Sequence, residues 1–307
     1  MIQRIIGRTN IDKLEIEYFV SPSNLDLLYF FNSQETKITT NFSTKPVLGY
    51  RHCLDVFFGN TILLGKICWE TDLIGRNGVY MQFENEILYN SDFKTYLTEI
   101  NMFFRCFGGE FNKITKLEIC YDIQLNLVRQ FEKLTQTKQP SIVLYGKEKP
   151  CCFLLNNRTV KNTKETDYLG VWSKGSLINP FQTKTYYING RFQQGKPRLQ
   201  IKIYNKSKEV EKSRKTYTTD YFKETNKPVY RFEVAYRSPS VLIEEIKETF
   251  RENLGKQPKN YIELLTNKTL LFRLLEHTSE RLFAVKIRVK NDYYKIDFLN
   301  LMLENMI

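Results

Sequence analysis

Ile11-Asp12-Lys13-Leu14-Glu15-Ile16-Glu17-Tyr18 comes back later in the chain as Ile114-Thr115-Lys116-Leu117-Glu118-Ile119-Cys120-Tyr121. Both follow the pattern I-x-K-L-E-I-x-Y. In the first, period-two alternation sets Ile11, Lys13, Glu15 and Glu17 opposite Leu14, Ile16 and Tyr18, the pattern of a strand with one face on a core. A general strand preference would by itself produce such a likeness. The sharper reading is a duplicated βαβ-type half whose equivalent strands lie together at a sheet centre.

Working outward, residues 53–58, 61–69 and 78–83 read as successive strands, with Gly59-Asn60 and Asn77-Gly78 as turn signals. Ser21 or Ser23 is placed to cap a short helix through Leu25 to Phe31. Over residues 92–107, Phe93, Tyr96, Leu97, Ile100, Phe103 and Phe104 fall on one helical stripe. Further strands are expected at 183–188, 198–204 and 229–236, with a helix and loop between the last two. From about Ser240 the spacing turns helical, through Leu242, Ile243, Ile246 and Phe250, and again from Pro258 through Leu264, Leu265, Leu271 and Leu275. The expected fold is therefore α+β: a central antiparallel-rich sheet with helices over residues 1–240, and a helical C-terminal section over 241–307.

Composition narrows the function. Lys and Arg number 46 against 34 Asp and Glu, a formal charge of +12, which suits a polyanionic partner. No apolar run reaches the ~18 residues of a membrane span, and the N-terminus has no signal-peptide core, so a cytoplasmic protein is expected. The cysteines Cys53, Cys68, Cys106, Cys120, Cys151 and Cys152 form no CxxC pair, so reduced and mostly buried thiols are expected. With His52 and His277 as the two histidines, His-rich metal cages and Ser-His-Asp triads are nearly excluded. Phosphate-loop and dinucleotide glycine motifs are missing. Chemistry must then rest on carboxylates, tyrosines, lysines and arginines.

Three strands carry such groups on one phase. Gln200, Lys202 and Tyr204 alternate with Leu199, Ile201 and Ile203; Arg231, Glu233 and Arg237 alternate with Phe232, Val234 and Tyr236; Glu118 and Asp122 share a phase opposite Leu117, Ile119 and Tyr121. If these strands are neighbours, their polar groups are those needed to cleave a phosphodiester covalently. Carboxylates hold a divalent cation, and a tyrosine whose phenolate is favoured by nearby cations attacks phosphorus. Glu118 and Asp122, four residues apart, are separated by about 13 Å along a regular strand, so Glu118 is favoured as ligand over Asp122. The plainer reading stays open: a solvated polar face with cross-strand ion pairs.

The stretch from Arg198 to Glu209, Arg-Leu-Gln-Ile-Lys-Ile-Tyr-Asn-Lys-Ser-Lys-Glu, followed by Tyr-Arg-Phe-Glu-Val-Ala-Tyr-Arg from Tyr230 to Arg237, resembles the signature of the Rep_trans family. That family contains rolling-circle replication initiators of small plasmids and phages, and related relaxases of integrative elements. Tyr204, Lys206 and Glu209 match its R-I-Y-x-K-x-x-E element, which carries the nucleophile. Arg231, Glu233 and Arg237 match its R-x-E-x-x-x-R strand. Leu117 to Asp122 is similar to its L-D-x-A-x-D strand, with Glu118 replacing the first Asp. Gly75 to Phe83 resembles a G-x-H-x-E-like strand without the histidine, and Thr185 to Gly190 resembles the strand and turn before the tyrosine motif. The likeness spans residues 10–240.

The resemblance implies a site-specific single-strand DNA endonuclease. Tyr204 would attack at an origin, stay linked to the 5′-phosphate and leave a free 3′-OH, with Lys202, Lys206 and Arg231 in the catalytic group. Mg or Mn would sit on Glu118, Glu233 and Asp122. Arg198, Lys208, Lys212, Arg214, Lys215 and Arg237 would contact the DNA, single-stranded or hairpin. A homodimer and a host helicase are the further partners expected; no membrane is. The alternatives are a conjugative-element relaxase with the same chemistry, a non-catalytic origin-DNA-binding protein, and an RNA-binding module that stacks bases on its aromatics. Against the last, most aromatics lie on the apolar phase of their strands.

Overall fold

The structure is a computed structural model and describes residues 7–30, 35–45, 47–71, 78–136, 142–146, 149–150, 170–174, 185–193, 196–225, 227–251, 258–289, 292–296 and 299. The chain packs as two compact units. One comprises Met1–Asn10, Ile119–Gln257 and Lys268–Ile307; the other comprises Ile11–Glu118 and Pro258–Asn267. This division differs from the boundary expected near residue 240.

In the unit built on Ile11–Glu118, strand β1 (Gly7–Phe19) is followed by two short helices, α1 (Pro22–Leu25) and α2 (Leu27–Phe30). Then come β2 (Ile38–Phe42), β3 (Tyr50–Phe58), β4 (Ile62–Thr71) and β5 (Val79–Phe83), the helices α3 (Asn85–Tyr89) and α4 (Phe93–Cys106), and β6 (Glu110–Ile123). The strand order is β2-β3-β4-β5-β1-β6. Phe93, Tyr96, Leu97, Ile100, Phe103 and Phe104 are all buried, as the stripe requires, and Tyr18 of β1 stacks on Phe104 with ring centroids 3.9 Å apart. The Gly59-Asn60 turn has positive φ at both residues (59° and 63°), the conformation that favours Gly and Asn in tight hairpins. Gly65, at φ 152°, lies where a Cβ would meet Gln82 O at 2.0 Å, so only glycine fits against β5.

In the other unit, β6 continues into helix α5 (Leu127–Gln136) and strands β7 (Ile142–Gly146), β8 (Lys149–Pro150), β9 (Gly170–Lys174), β10 (Thr185–Gln193) and β11 (Lys196–Asn205). Helix α6 (Lys206–Ser213), two short 3-10 turns and β12 (Tyr230–Tyr236) follow. The order here is β6-β12-β11-β10-β9. Beyond residue 240 the expected helices are α7 (Pro239–Arg251), α8 (Tyr261–Thr266) and α9 (Lys268–Leu282); α8 belongs to the first unit described. The helix anticipated from Pro258 onward is broken in two because Asn267 is extended (φ −100°, ψ 106°). After α9 come β13 (Phe283–Val289) and β14 (Asp292–Ile296), which order with β7 and β8 as β14-β13-β7-β8.

The fold is thus α+β with a large antiparallel sheet. β1 and β6, the two strands of the sequence repeat, are neighbours, with Thr115 Oγ1 donating to Glu15 Oε1 at 2.6 Å. In each half the last of four successive strands of this sheet lies beside the first strand, β5 beside β1 and β12 beside β6; in the second half β7 and β8, of the other sheet, intervene before β9, and α6 comes between β11 and β12. The two repeat strands thus lie side by side within the sheet, and the strands around them pair antiparallel rather than as βαβ units. Among the described residues, no helix is long and apolar enough to cross a membrane. Of the cysteines, Cys68 and Cys120 are buried and Cys53 half-buried, whereas Cys106, the last residue of α4, is exposed; Cys151 and Cys152 lie outside the described residues.

Candidate functional site

The site begins with the register of β11 on β12, an antiparallel pair that sets Lys202 across from Glu233 and Tyr204 across from Arg231. Leu199, Ile201 and Ile203 are buried on the apolar phase, which leaves Lys202 and Tyr204 on the other. Every residue of β12 except Tyr230 is buried, so its polar face is covered and not solvated. Tyr204 Oη donates to Glu233 Oε2 at 3.1 Å, and Lys202 Nζ pairs with Oε1 of the same carboxylate. Glu233 is 1% exposed. A buried carboxylate needs this compensation, since an isolated charge in such a place would cost several kcal/mol.

In the other unit, Asp12 of β1 and Glu118 of β6 each present a carboxylate oxygen within 4.8 Å of the other. Lys13 Nζ lies 3.1 Å from Glu118 Oε2. Two carboxylates at this spacing offer the oxygen donors that a hard divalent cation prefers, and its charge would offset their mutual repulsion. Asp12 was not singled out in the sequence. Its signal was the repeat itself, because only the pairing of β1 with β6 brings Asp12 to Glu118.

Asp122 stands apart from this cluster. It forms a two-pronged pair with Arg231, Nε to Oδ1 at 2.6 Å and Nη2 to Oδ2 at 2.7 Å, with Asp122 and Arg231 both fully buried. The strand spacing that separated Asp122 from Glu118 is the reason, and Arg231 is held by Asp122 in a fork-to-carboxylate geometry. Lys206 is also buried, its Nζ on Glu209 Oε2, at the first turn of α6.

The six residues expected on DNA fall in two places. Asn205 caps α6 by accepting from Lys208 N at 3.0 Å, and Arg214 ends it in the left-handed conformation (φ 59°). Lys212, Arg214 and Lys215 are therefore presented, exposed, just past the tyrosine strand, and Lys208 is half-buried on the same helix. Arg198 and Arg237 are elsewhere. Arg237 N donates to Arg198 O at 2.8 Å and its Nη2 donates to Gln200 Oε1 at 2.8 Å. Arg198 lies six residues from Tyr204, about 20 Å along the strand, so these two arginines sit at the opposite strand end.

No protein-family model and no curated protein matches this chain. Among solved structures, it is similar to the rolling circle replication initiator protein from Geobacillus stearothermophilus, with 11% sequence identity and a TM-score of 0.50, over 97% of this chain and 96% of that one. At that identity the likeness is one of fold: two chains that share an α+β architecture along nearly their whole lengths.

Proposed function

We propose that this protein initiates rolling-circle replication by nicking and rejoining one DNA strand through a phosphotyrosine at Tyr204. The observation that carries the reading is the Tyr204–Glu233–Lys202 chain, a phenol donating to a buried carboxylate that a lysine also holds. Its support is the motif resemblance around Tyr204 and the fold likeness to a replication initiator.

In the nicking step, Tyr204 Oη forms a bond to phosphorus and the bond from phosphorus to the 3′ oxygen breaks. The phenol proton leaves along the hydrogen bond towards Glu233 Oε2, and the departing 3′ oxygen takes up a proton. Lys202 keeps Glu233 in place and opposes the cost of negative charge at the phenol, whose ordinary pKa is about 10. Rejoining is the reverse attack of a 3′-OH on the phosphotyrosine, which conserves the energy of the broken bond. Glu233, beside Tyr204, would take part in holding a Mg or Mn ion, which when bound supplies charge to polarise the phosphate.

Tyr204→Phe should abolish covalent attachment to labelled single-stranded origin DNA while leaving binding nearly intact, since only a hydroxyl is lost. The readout is the adduct in a denaturing gel alongside binding of the same oligonucleotide. An adduct that persists would move the nucleophile to another tyrosine. Binding without any adduct in the wild type would favour a non-catalytic origin-binding protein.

A further inference from the structure

We propose that Cys53 and Cys68 are a site of reversible disulfide formation, in which Cys53 reacts first with a small-molecule disulfide such as oxidised glutathione and Cys68 then closes the bond. The pair lies within the unit built on Ile11–Glu118, and the proposal stands independently of the nicking chemistry.

β3 and β4 pair antiparallel with Cys53 directly across from Cys68. Residues so placed have Cα atoms about 4.5–5.5 Å apart, inside the span of about 4.4–6.8 Å that a disulfide bridges. The sulfurs are already in contact, Sγ to Sγ 3.1 Å. Closing them to a bond of about 2.05 Å asks for a side-chain rotation of roughly 1 Å and no change of strand pairing. The register is held by the neighbouring partners Leu54 and Ile67, both buried, which a slip of one residue would turn to the other face.

The two sulfurs differ in access. Cys53 is half-buried and its Sγ accepts from Val47 N at 3.4 Å, whereas Cys68 is 0% exposed. Burial pushes the Cys68 thiol up, Cys53 beside it adds to the push, and Lys66 opposes it. Cys68 therefore stays a protonated thiol out of reach of a reagent in solution, and Cys53 is the sulfur that meets it. In the first step Cys53 Sγ bonds to one sulfur of the reagent, the reagent's own S–S bond breaks, and the departing thiolate takes up the proton that Cys53 loses. In the second step Cys68 Sγ attacks Cys53 Sγ, the mixed disulfide breaks, and the second small thiol leaves with the proton of Cys68. Two protein thiols are oxidised, and one small disulfide is reduced to two thiols. The contact between the sulfurs makes the closing step intramolecular, which offsets the reluctance of Cys68 to ionise. An excess of reducing thiol runs both steps backwards.

The test exposes the intact, folded chain to oxidised glutathione, alkylates the thiols that remain, and maps the peptides by mass. Wild type should yield a peptide pair joined Cys53 to Cys68, lighter by two hydrogens, which dithiothreitol reopens. In Cys68→Ala the reaction should stop with glutathione on Cys53. In Cys53→Ala the Cys68 thiol should survive the treatment and be alkylated after unfolding. Exposed Cys106 reports that the reagent is active. Wild type that carries glutathione on Cys106 yet keeps Cys53 and Cys68 as thiols would overturn the proposal. A mixed disulfide on Cys53 that never closes would do the same, as would a bond from either sulfur to another cysteine. Should a variant fail to fold, the wild-type map alone decides between these outcomes.

Discussion

Arg231 and Asp122 illustrate how a buried charge pair is tolerated. Both are fully buried, and two parallel hydrogen bonds satisfy the guanidinium edge and both carboxylate oxygens. Removing one partner leaves the other charged in the core, so Asp122→Asn should lower stability by about 3–5 kcal/mol in a urea melt. Replacing Asp122 and Arg231 together by well-packed apolar residues should cost far less. Lys268 is a charge of a different kind: the residue is exposed, but its amine is held against Asn10. Burial, reinforced by the charge of Arg8, pulls its pKa from 10.5 down to about 8, with Asn10 Oδ1 accepting from its Nζ at 3.0 Å. The unfolded chain then binds the proton more tightly than the folded one. Below pH 8 the charged amine is a full penalty, and stability recovers as pH rises from about 8 to 10.5. Because Lys268 is exposed, solvent screens most of this penalty, and Lys268→Met should be at most slightly more stable than wild type at pH 7. It should also lose the extra rise that wild type shows between those pH values; parallel urea melts at pH 7 and pH 10 measure both.

At the scale of the element, α6 is the helix that follows the candidate nucleophile, and its ends are built by specific residues. Asn205 satisfies a first-turn amide, and Arg214 takes the left-handed position that terminates the helix. Asn205→Ala should cost about 1 kcal/mol, read by chemical denaturation. The exposed cations at the end of this helix carry the electrostatic part of the proposed DNA contact. Replacing Lys212, Arg214 and Lys215 by Ala should weaken binding to all sequences. It should also flatten the slope of log K against log salt by about 2, near 0.7 for each lost phosphate contact on a single strand. An unchanged slope would place the DNA on another element.

At the scale of the whole molecule, the chain leaves and re-enters its units. Residues Pro258–Asn267 join Ile11–Glu118, while α7 and α9 on either side belong to the other unit. The contact is specific: Tyr261 of α8 stacks on Phe111 with centroids 3.7 Å apart, and its hydroxyl bonds Asn101 Oδ1, which also accepts from Tyr18 at 3.0 Å. Burial raises the pKa of both tyrosines. α8 has only six residues, too few to be stable alone, so its protection must come from this packing. Amide exchange should show α8 opening together with α4 and β1, and not with α7 or α9. Tyr261→Ala should make α8 exchange early and leave β11 and β12 unchanged.

Much of this was written in the sequence. Alternation in Ile11 to Tyr18 and Leu199 to Ile203, the stripe of α4 and the turn at Gly59-Asn60 are local signals, because periodicity and backbone freedom act within a few residues. The I-x-K-L-E-I-x-Y repeat went further and marked the two strands that stand side by side. Tyr204, Lys202, Glu118 and Glu233 fall on the polar phase of such strands, and it was the motif resemblance that singled them out from other polar strand residues. Strand partners could not, since pairing is a long-range choice that one strand's alternation leaves open. Only the tertiary structure brought Asp12 to Glu118, gave Asp122 to Arg231, and moved Arg198 and Arg237 to the far strand end. The reason is physical: a side chain's phase is set by its own strand, but its partner is set by register across the sheet and by the need of every buried charge for an opposite one.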